Sequence, residues 1–206
     1  MINFVYFDVG GVVVKDFSGT NKWEDLRSEI GVTSDKKDGF DKIWGAHKDT
    51  HSTIFDVDNL IPALKNELCL EIPREYSLLM GFVNRFERNE QIWPAISEMK
   101  KNVPVGLLTN MYPRMLGKII EAGLFPAIDW DIIVDSSIVR MKKPDIEIYR
   151  YAQEKTGVTG NEILFVENSM SHLKPAQECD WQTFYFDTAN IEESCVKLLD
   201  YFRSNR

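Results

Sequence analysis

The chain has 206 residues, of which 44% are hydrophobic and 12% aromatic, a composition that excludes a disordered protein and suffices for one full core. Its formal net charge of −8 disfavours binding to nucleic acid, because proteins that hold the phosphate backbone usually carry a basic excess. No apolar run reaches the roughly 18 residues that a membrane-spanning helix needs, so no membrane partner is expected.

Short apolar runs that are typical of strands alternate with helical patterns along most of the chain. The predicted strands are residues 3–9, 103–110, 131–137, 162–168 and 182–187. The predicted helices among them are residues 89–101, 112–124, 144–157 and 171–180. Continuously apolar strands are typical of a parallel sheet that is covered on both faces. The alternation therefore predicts an α/β fold, a Rossmann-like doubly wound parallel sheet with right-handed crossovers.

One long interval, residues 16–88, contains helical patterns and no convincing strand. We interpret it as an inserted α-helical cap domain, with residues 1–15 and 89–206 forming the α/β core domain. An insertion at the C-terminal end of the first strand lies over the crevice in which such sheets bind ligands. Two histidines of the cap, His47 and His51, are one helical turn apart and have no third ligand nearby, so we expect them on a solvated surface.

Polar residues stand at or just beyond the predicted carboxyl ends of the strands, where a parallel sheet brings distant parts of the chain together. They are Asp8, Thr109, Asn110, Lys143, Glu167 and Asn168. A carboxylate, a hydroxyl and an ammonium group together suit a phosphate dianion that the carboxylate attacks. Gly10 and Gly11 follow Asp8 closely, and their small size lets backbone groups approach a phosphate and a cation.

Four segments, "FDVGGV", "LLTN", "KKPDIEIY" and "ILFVENS", carry a family resemblance. In this order and at this spacing they resemble the motifs of the haloacid dehalogenase-like hydrolases, over nearly the whole chain and including the helical cap. The resemblance implies that Asp8 is a nucleophile that forms an aspartyl-phosphate. It also implies that Thr109 holds the transferring phosphoryl group and that Lys143 neutralises the charge between nucleophile and phosphate.

The same resemblance implies a Mg²⁺ cofactor and a small phosphorylated metabolite as substrate. The ion would be held by the Asp8 carboxylate, the Gly10 carbonyl and the acidic motif at Glu167 and Asn168. Asn110 and Gly11 are expected to contact the phosphate or the substrate. These assignments are expectations that follow from the motifs.

Two positions depart from the pattern of the family's phosphatases. Gly10 stands where these enzymes carry a second Asp that protonates the leaving group, and loss of a positioned acid costs about 10²–10⁴ in rate. Asn168 replaces an acid that often binds the metal, so weaker Mg²⁺ binding is expected. Without the acid, the enzyme would favour leaving groups that need little protonation, such as those of sugar 1-phosphates or acyl phosphates.

We favour a Mg²⁺-dependent phosphatase, a phosphoric monoester hydrolase, over two other functions. A 2-haloacid dehalogenase also lacks the second Asp and needs no Mg²⁺, although the bulky residue usual at position 10 is missing. A catalytically weak member acting as a binding or regulatory protein is the third hypothesis. The three cysteines form no CxxC pair, which favours a reducing, cytoplasmic setting.

Overall fold

The computed structural model describes residues 1–206, and a parallel sheet of five strands forms its centre. The strands in chain order are β1 (Phe4–Phe7), β2 (Val14–Lys15), β3 (Glu87–Arg88), β4 (Val105–Thr109), β5 (Ile132–Asp135), β6 (Ile163–Glu167) and β7 (Gln182–Tyr185). The parallel sheet has the order β5-β4-β1-β6-β7, so β1 pairs with β4 on one side and with β6 on the other. The carboxyl end of β1 is therefore the point at which the strand order reverses, where folds of this type bind ligands.

Helices cover both faces of this sheet. They are α1 (Lys22–Glu29), α2 (Lys37–Gly45), α3 (Ile61–Leu68), α4 (Leu78–Val83), α5 (Trp93–Lys100), α6 (Met115–Glu121), α7 (Ser136–Val139), α8 (Ile146–Thr156), α9 (Met170–Glu178) and α10 (Ile191–Asn205). Along β1, Val5 and Phe7 join a core that includes residues of α5 and α10, while Phe4 and Tyr6 join a second core with α8 and α9. This alternation confirms the Rossmann-like α/β fold. No helix has the length and apolar character needed to cross a bilayer.

The residues between β2 and β3 form four helices, α1 to α4, and two 3₁₀ turns, Ser34–Lys36 and Val57–Leu60. β2 and β3 pair antiparallel, with Val14 opposite Arg88 and Lys15 opposite Glu87, and so tie the two ends of this segment together. Neither strand was predicted, because two residues show no periodicity. The helix α10, after residue 180, was not predicted either.

Aromatic rings fill the interior of the helical segment and continue to its contact with the core. Trp23 packs against Phe40 and Trp44 with ring centroids 5.8 and 5.0 Å apart. At the seam, the Arg114 guanidinium donates to Asp56 at 2.7 Å and to Asp58 at 2.8 Å. These contacts hold the segment over the carboxyl ends of β1, β4 and β6.

Candidate active site

A cavity of about 670 Å³ opens between the helical segment and the carboxyl ends of the strands. All but one of the predicted site residues line it: Asp8, Gly10, Thr109, Asn110, Lys143, Glu167 and Asn168. Asp8 directly follows β1, and its backbone N–H donates to the Val166 carbonyl at 2.9 Å, which extends the pairing with β6 by one residue. Its side chain therefore stands at the rim of the sheet and faces the cavity.

Lys143 lies between the two acids of the site. Its Nζ is 2.9 Å from the Asp8 Oδ1 and 2.6 Å from the Glu167 Oε2, and the residue is only 2% exposed. Burial alone would lower the pKa of Lys143, but the charges of Asp8 and Glu167 raise it above its ordinary value. The ammonium group is therefore charged and fixed beside the proposed nucleophile.

The two carboxyl groups differ in their protonation. Burial, together with the charge of Glu167, raises the pKa of Asp8 to about 6 against the opposing effect of Lys143. Burial would also raise the pKa of Glu167, but the charge of Lys143 and a hydrogen bond with His172 lower it below its usual range. Glu167 is thus ionised, and Asp8 is mostly ionised at neutral pH.

Thr109, the last residue of β4, is 1% exposed, and its hydroxyl has no hydrogen-bond partner in the protein. A buried hydroxyl without a partner costs free energy, which is recovered when a ligand supplies one. Because Thr109 lines the same cavity as Asp8 and Lys143, a ligand oxygen in that cavity is the natural partner.

Asn110 and Gly11 each have a structural role besides their predicted contact with phosphate or substrate. The Asn110 Nδ2 donates to the Lys143 carbonyl, and the Lys143 backbone N–H donates to the Asn110 Oδ1, both at 2.8 Å. Asn110 thus positions Lys143, and a contact with phosphate stays a prediction. The Gly11 N–H donates to the Val14 carbonyl at 2.8 Å, and Gly11 does not line the cavity. Gly11 thus has a role in the turn, and its predicted phosphate contact stays a prediction.

Gly11 also makes room for Asn168. Its φ of +81° is unfavourable for other residues, and a Cβ at this position would overlap the Asn168 amide. The side-chain oxygen of Asn168 is 3.2 Å from the Gly10 carbonyl oxygen and 2.9 Å from the Glu167 Oε1. An amide oxygen this close to two other oxygens is repelled by both unless a donor or a cation comes between them.

Two arrangements relieve this repulsion. If the amide turns by half a rotation, its nitrogen donates to the Gly10 carbonyl and to Glu167. If it does not turn, a cation can take the place between the oxygens. Neighbouring ligands of an octahedral Mg²⁺ lie about 3 Å apart, which matches the observed separations. The donor set therefore fits Mg²⁺, although Glu167 already accepts from the Ser169 N–H, Lys143 and His172.

Further polar residues line the cavity and were not predicted as part of the site, among them Asp16, His51 and His172. The expectation of a solvated His51 is wrong, since the residue is 4% exposed and packs against Trp44 at 4.2 Å between ring centroids. Burial, together with the charges of His47 and Lys142, lowers the pKa of His51 to about 4. Helical spacing alone did not show which side of the segment would face the cavity.

Comparison with known proteins settles the family. A family model described as haloacid dehalogenase-like hydrolase matches residues 3–180. The chain belongs to the haloacid dehalogenase-like hydrolases. No curated protein sequence matches this hydrolase significantly.

Solved structures of the same family share its fold. A haloacid dehalogenase family enzyme from Bacteroides thetaiotaomicron, solved with magnesium and inorganic phosphate, has a TM-score of 0.72 and 16% identity, covering 91% of this chain and 96% of its own. A predicted hydrolase of the family from Porphyromonas gingivalis has a TM-score of 0.73 and 18% identity, covering 97% and 98%. The L-2-haloacid dehalogenase of Xanthobacter autotrophicus, with chloropropionic acid covalently bound, has a TM-score of 0.60 and 20% identity, covering 89% and 76%.

Proposed function

We propose that this hydrolase is a phosphatase that acts on a small phosphorylated metabolite through an aspartyl-phosphate at Asp8. Support comes from the placement of a carboxylate, an ammonium group and an unpartnered hydroxyl around one cavity. The observation that carries the choice of phosphate is the buried Thr109 hydroxyl without a protein partner, in the same cavity as the Lys143 ammonium, because a hydroxyl and an ammonium group suit the oxygens of a phosphate dianion.

The chemistry follows from these positions. An Asp8 carboxylate oxygen attacks phosphorus, and the bond from phosphorus to the leaving oxygen breaks. Water then attacks the phosphorus of the aspartyl-phosphate, the bond from phosphorus to Asp8 breaks, and inorganic phosphate leaves. The Lys143 ammonium and the Thr109 hydroxyl stabilise the negative charge on the phosphoryl oxygens. The Asp8 carboxylate, the Gly10 carbonyl, Glu167 and Asn168 would hold Mg²⁺, which would neutralise further charge on the phosphate.

The cavity limits the size of the substrate. Its volume of about 670 Å³ is typical of sites for small molecules, and the helical segment closes it on the side opposite the sheet. The rings of Trp23, Trp44 and Phe82 line that side, so the organic part of the substrate would lie against aromatic surface. We therefore propose residues 16–88 as a cap domain that selects the substrate and excludes water.

A 2-haloacid dehalogenase is the second candidate, and one observation favours it. Residue 10 carries no acid, and displacement of a halide by Asp8 would need neither an acid nor a metal. The dehalogenase of Xanthobacter autotrophicus shares the fold, but at 20% identity this likeness does not extend to the reaction. A non-catalytic binding function is the third candidate, and the unpartnered Thr109 hydroxyl fits a bound ligand there as well.

A substrate panel separates these candidates. Purified protein is incubated with acetyl phosphate, a sugar 1-phosphate and 2-chloropropionate, with Mg²⁺ or with a chelator, and phosphate and chloride are measured. Phosphate release that the Asp8→Asn variant lacks supports the phosphatase. Chloride release that persists with the chelator supports the dehalogenase, and release of neither product supports the binding function.

A further inference from the structure

The proposed phosphatase lacks an acid at residue 10, and the structure shows what lies in the space of that missing side chain. If a Cβ is placed on Gly10, the three nearest atoms of other residues all belong to Asp16, and the nearest is the Oδ2 at 3.2 Å. The φ of Gly10 is not in the left-handed region, so its backbone would accept a side chain there. The Asp16 carboxylate thus lies next to the point from which a side chain on residue 10 would extend.

The loop after β1 brings Asp16 there. The Val9 carbonyl accepts hydrogen bonds from the N–H groups of Val12 at 3.3 Å and of Val14 at 3.0 Å, so the chain turns back on itself immediately after Asp8. The pairing of β2 with β3 then fixes the direction of the returning chain. Asp16 is the first residue after β2, so a short, hydrogen-bonded segment holds it beside Gly10.

The two oxygens of Asp16 have different surroundings. Its Oδ1 accepts a hydrogen bond from the Ser18 N–H at 2.9 Å, which orients the carboxyl group. Its Oδ2 accepts no hydrogen bond from the protein and is the oxygen next to Gly10. Asp16 also lines the cavity together with Asp8. We propose that Asp16 is the general acid and base of this enzyme, an inference that rests on the proposed phosphatase function.

The proton transfers balance over the two steps. In the first, the Asp8 carboxylate bonds to phosphorus, the bond to the leaving oxygen breaks, and that oxygen takes the proton from the Asp16 carboxyl group. In the second, Asp16 takes a proton from water while the water oxygen bonds to phosphorus and the bond from phosphorus to Asp8 breaks. Inorganic phosphate leaves, and both carboxyl groups return to their starting states.

This role changes the expected substrate class. With an acid in place, the enzyme is not restricted to anomeric or acyl phosphates, and phosphate esters of ordinary alcohols become substrates. Such esters need protonation because an alkoxide is a poor leaving group, whereas acetate leaves without a proton. The contrast between an alkyl phosphate and acetyl phosphate therefore isolates the acid role of Asp16.

The experiment compares the wild type with Asp16→Asn on glycerol phosphate and on acetyl phosphate. The asparagine keeps the oxygen that accepts from Ser18, so the fold should be retained. We expect turnover of glycerol phosphate to fall by about 10²–10⁴. With acetyl phosphate we expect the phosphoenzyme to form and to accumulate, because the base for the second step is missing. Mass spectrometry of acid-quenched protein detects this species.

Two further variants control the interpretation. Gly10→Asp combined with Asp16→Ala moves the acid to residue 10 and should restore turnover of glycerol phosphate. Asp25→Asn removes an exposed acid of α1 outside the cavity and should change neither rate. If Asp16 had a merely structural role, its replacement would lower the turnover of both substrates equally. The phosphoenzyme would not accumulate, and the variant with Gly10→Asp would not restore turnover.

The outcomes also separate this proposal from the function on which it rests. If the wild type releases phosphate but Asp16→Asn turns over glycerol phosphate at the wild-type rate, the role of Asp16 is refuted and the phosphatase stands. If the wild type releases phosphate from neither substrate, the phosphatase proposal fails and the role of Asp16 falls with it.

Discussion

Replacing Lys143 with methionine removes the ammonium group that lies between two buried acids. In the wild type, the Asp8 and Glu167 carboxylates share this one ammonium at 2.9 and 2.6 Å, and all three residues are at most 8% exposed. Methionine keeps the length and the apolar stem of the side chain, so the change is mainly one of charge. Breaking a buried ion pair by removing one partner costs about 3–5 kcal/mol, and we expect a loss of unfolding free energy in this range.

The pH dependence gives a sharper test. Without Lys143, burial and mutual repulsion raise the folded-state pKa values of Asp8 and Glu167 above those of the unfolded chain, about 4. The folded state then binds more protons than the unfolded chain, so the stability of the variant falls as the pH rises. The deficit relative to the wild type should be larger at pH 8 than at pH 5, because both values lie about one unit or more above the pKa values of the carboxyl groups in the unfolded chain.

Urea denaturation at the two pH values measures this difference, with two controls. Lys142→Met alters the adjacent lysine, whose Nζ donates to the Asp49 carbonyl and meets no carboxylate, and should cost less than about 1 kcal/mol. Adding Glu167→Gln to Lys143→Met removes one of the two repelling charges and should recover at least about 1 kcal/mol. If Lys143→Met is as stable as Lys142→Met at both pH values, the assignment of a charged, buried triad is wrong.

Three other substitutions test individual parts of the site. Thr109→Val removes a hydroxyl without a protein partner, so the free energy of unfolding should be unchanged or higher by up to about 1 kcal/mol. Turnover should fall by about 10²–10³. Activity equal to that of the wild type would show that the hydroxyl does not contact the substrate. Gly11→Ala should lower the free energy of unfolding by more than the roughly 1–2 kcal/mol that its positive φ costs, because the Cβ also overlaps the Asn168 amide. Gly19 has a φ of +69° and open space around it, so Gly19→Ala should cost only the φ penalty. Chemical denaturation measures both. Asn168→Asp should lower stability in the absence of metal, because a second carboxylate then lies beside that of Glu167. It should also increase the stabilisation by Mg²⁺ in a thermal melt. An unaltered response to Mg²⁺ would show that residue 168 does not bind the ion.

Much of the fold follows from local sequence signals. The buried strands are continuously apolar and end in polar residues, so both their positions and the gathering of Asp8, Thr109 and Glu167 at one edge could be predicted. The pairing of β2 with β3 could not, because its two-residue strands depend on contacts between residues far apart in sequence.

The finer roles within the site depend on geometry that no motif shows. No motif showed that the Asn110 amide pairs with the Lys143 backbone across the sheet edge. His51 looked solvated, but its helical segment turns that side towards the cavity. The sequence does hold one signal for Asp16: an active-site loop without an acid at residue 10 has an acid six residues later, directly after β2.

The proposed function depends above all on Asp8 as the carrier of the phosphoryl group. The most direct measurement is rapid acid quenching of the wild-type protein with acetyl phosphate, followed by peptide mass spectrometry. The account predicts a phosphoryl group on Asp8 alone and none in Asp8→Asn. Release of phosphate with Asp8 unmodified at every quench time, or a phosphoryl group on another residue, would contradict it.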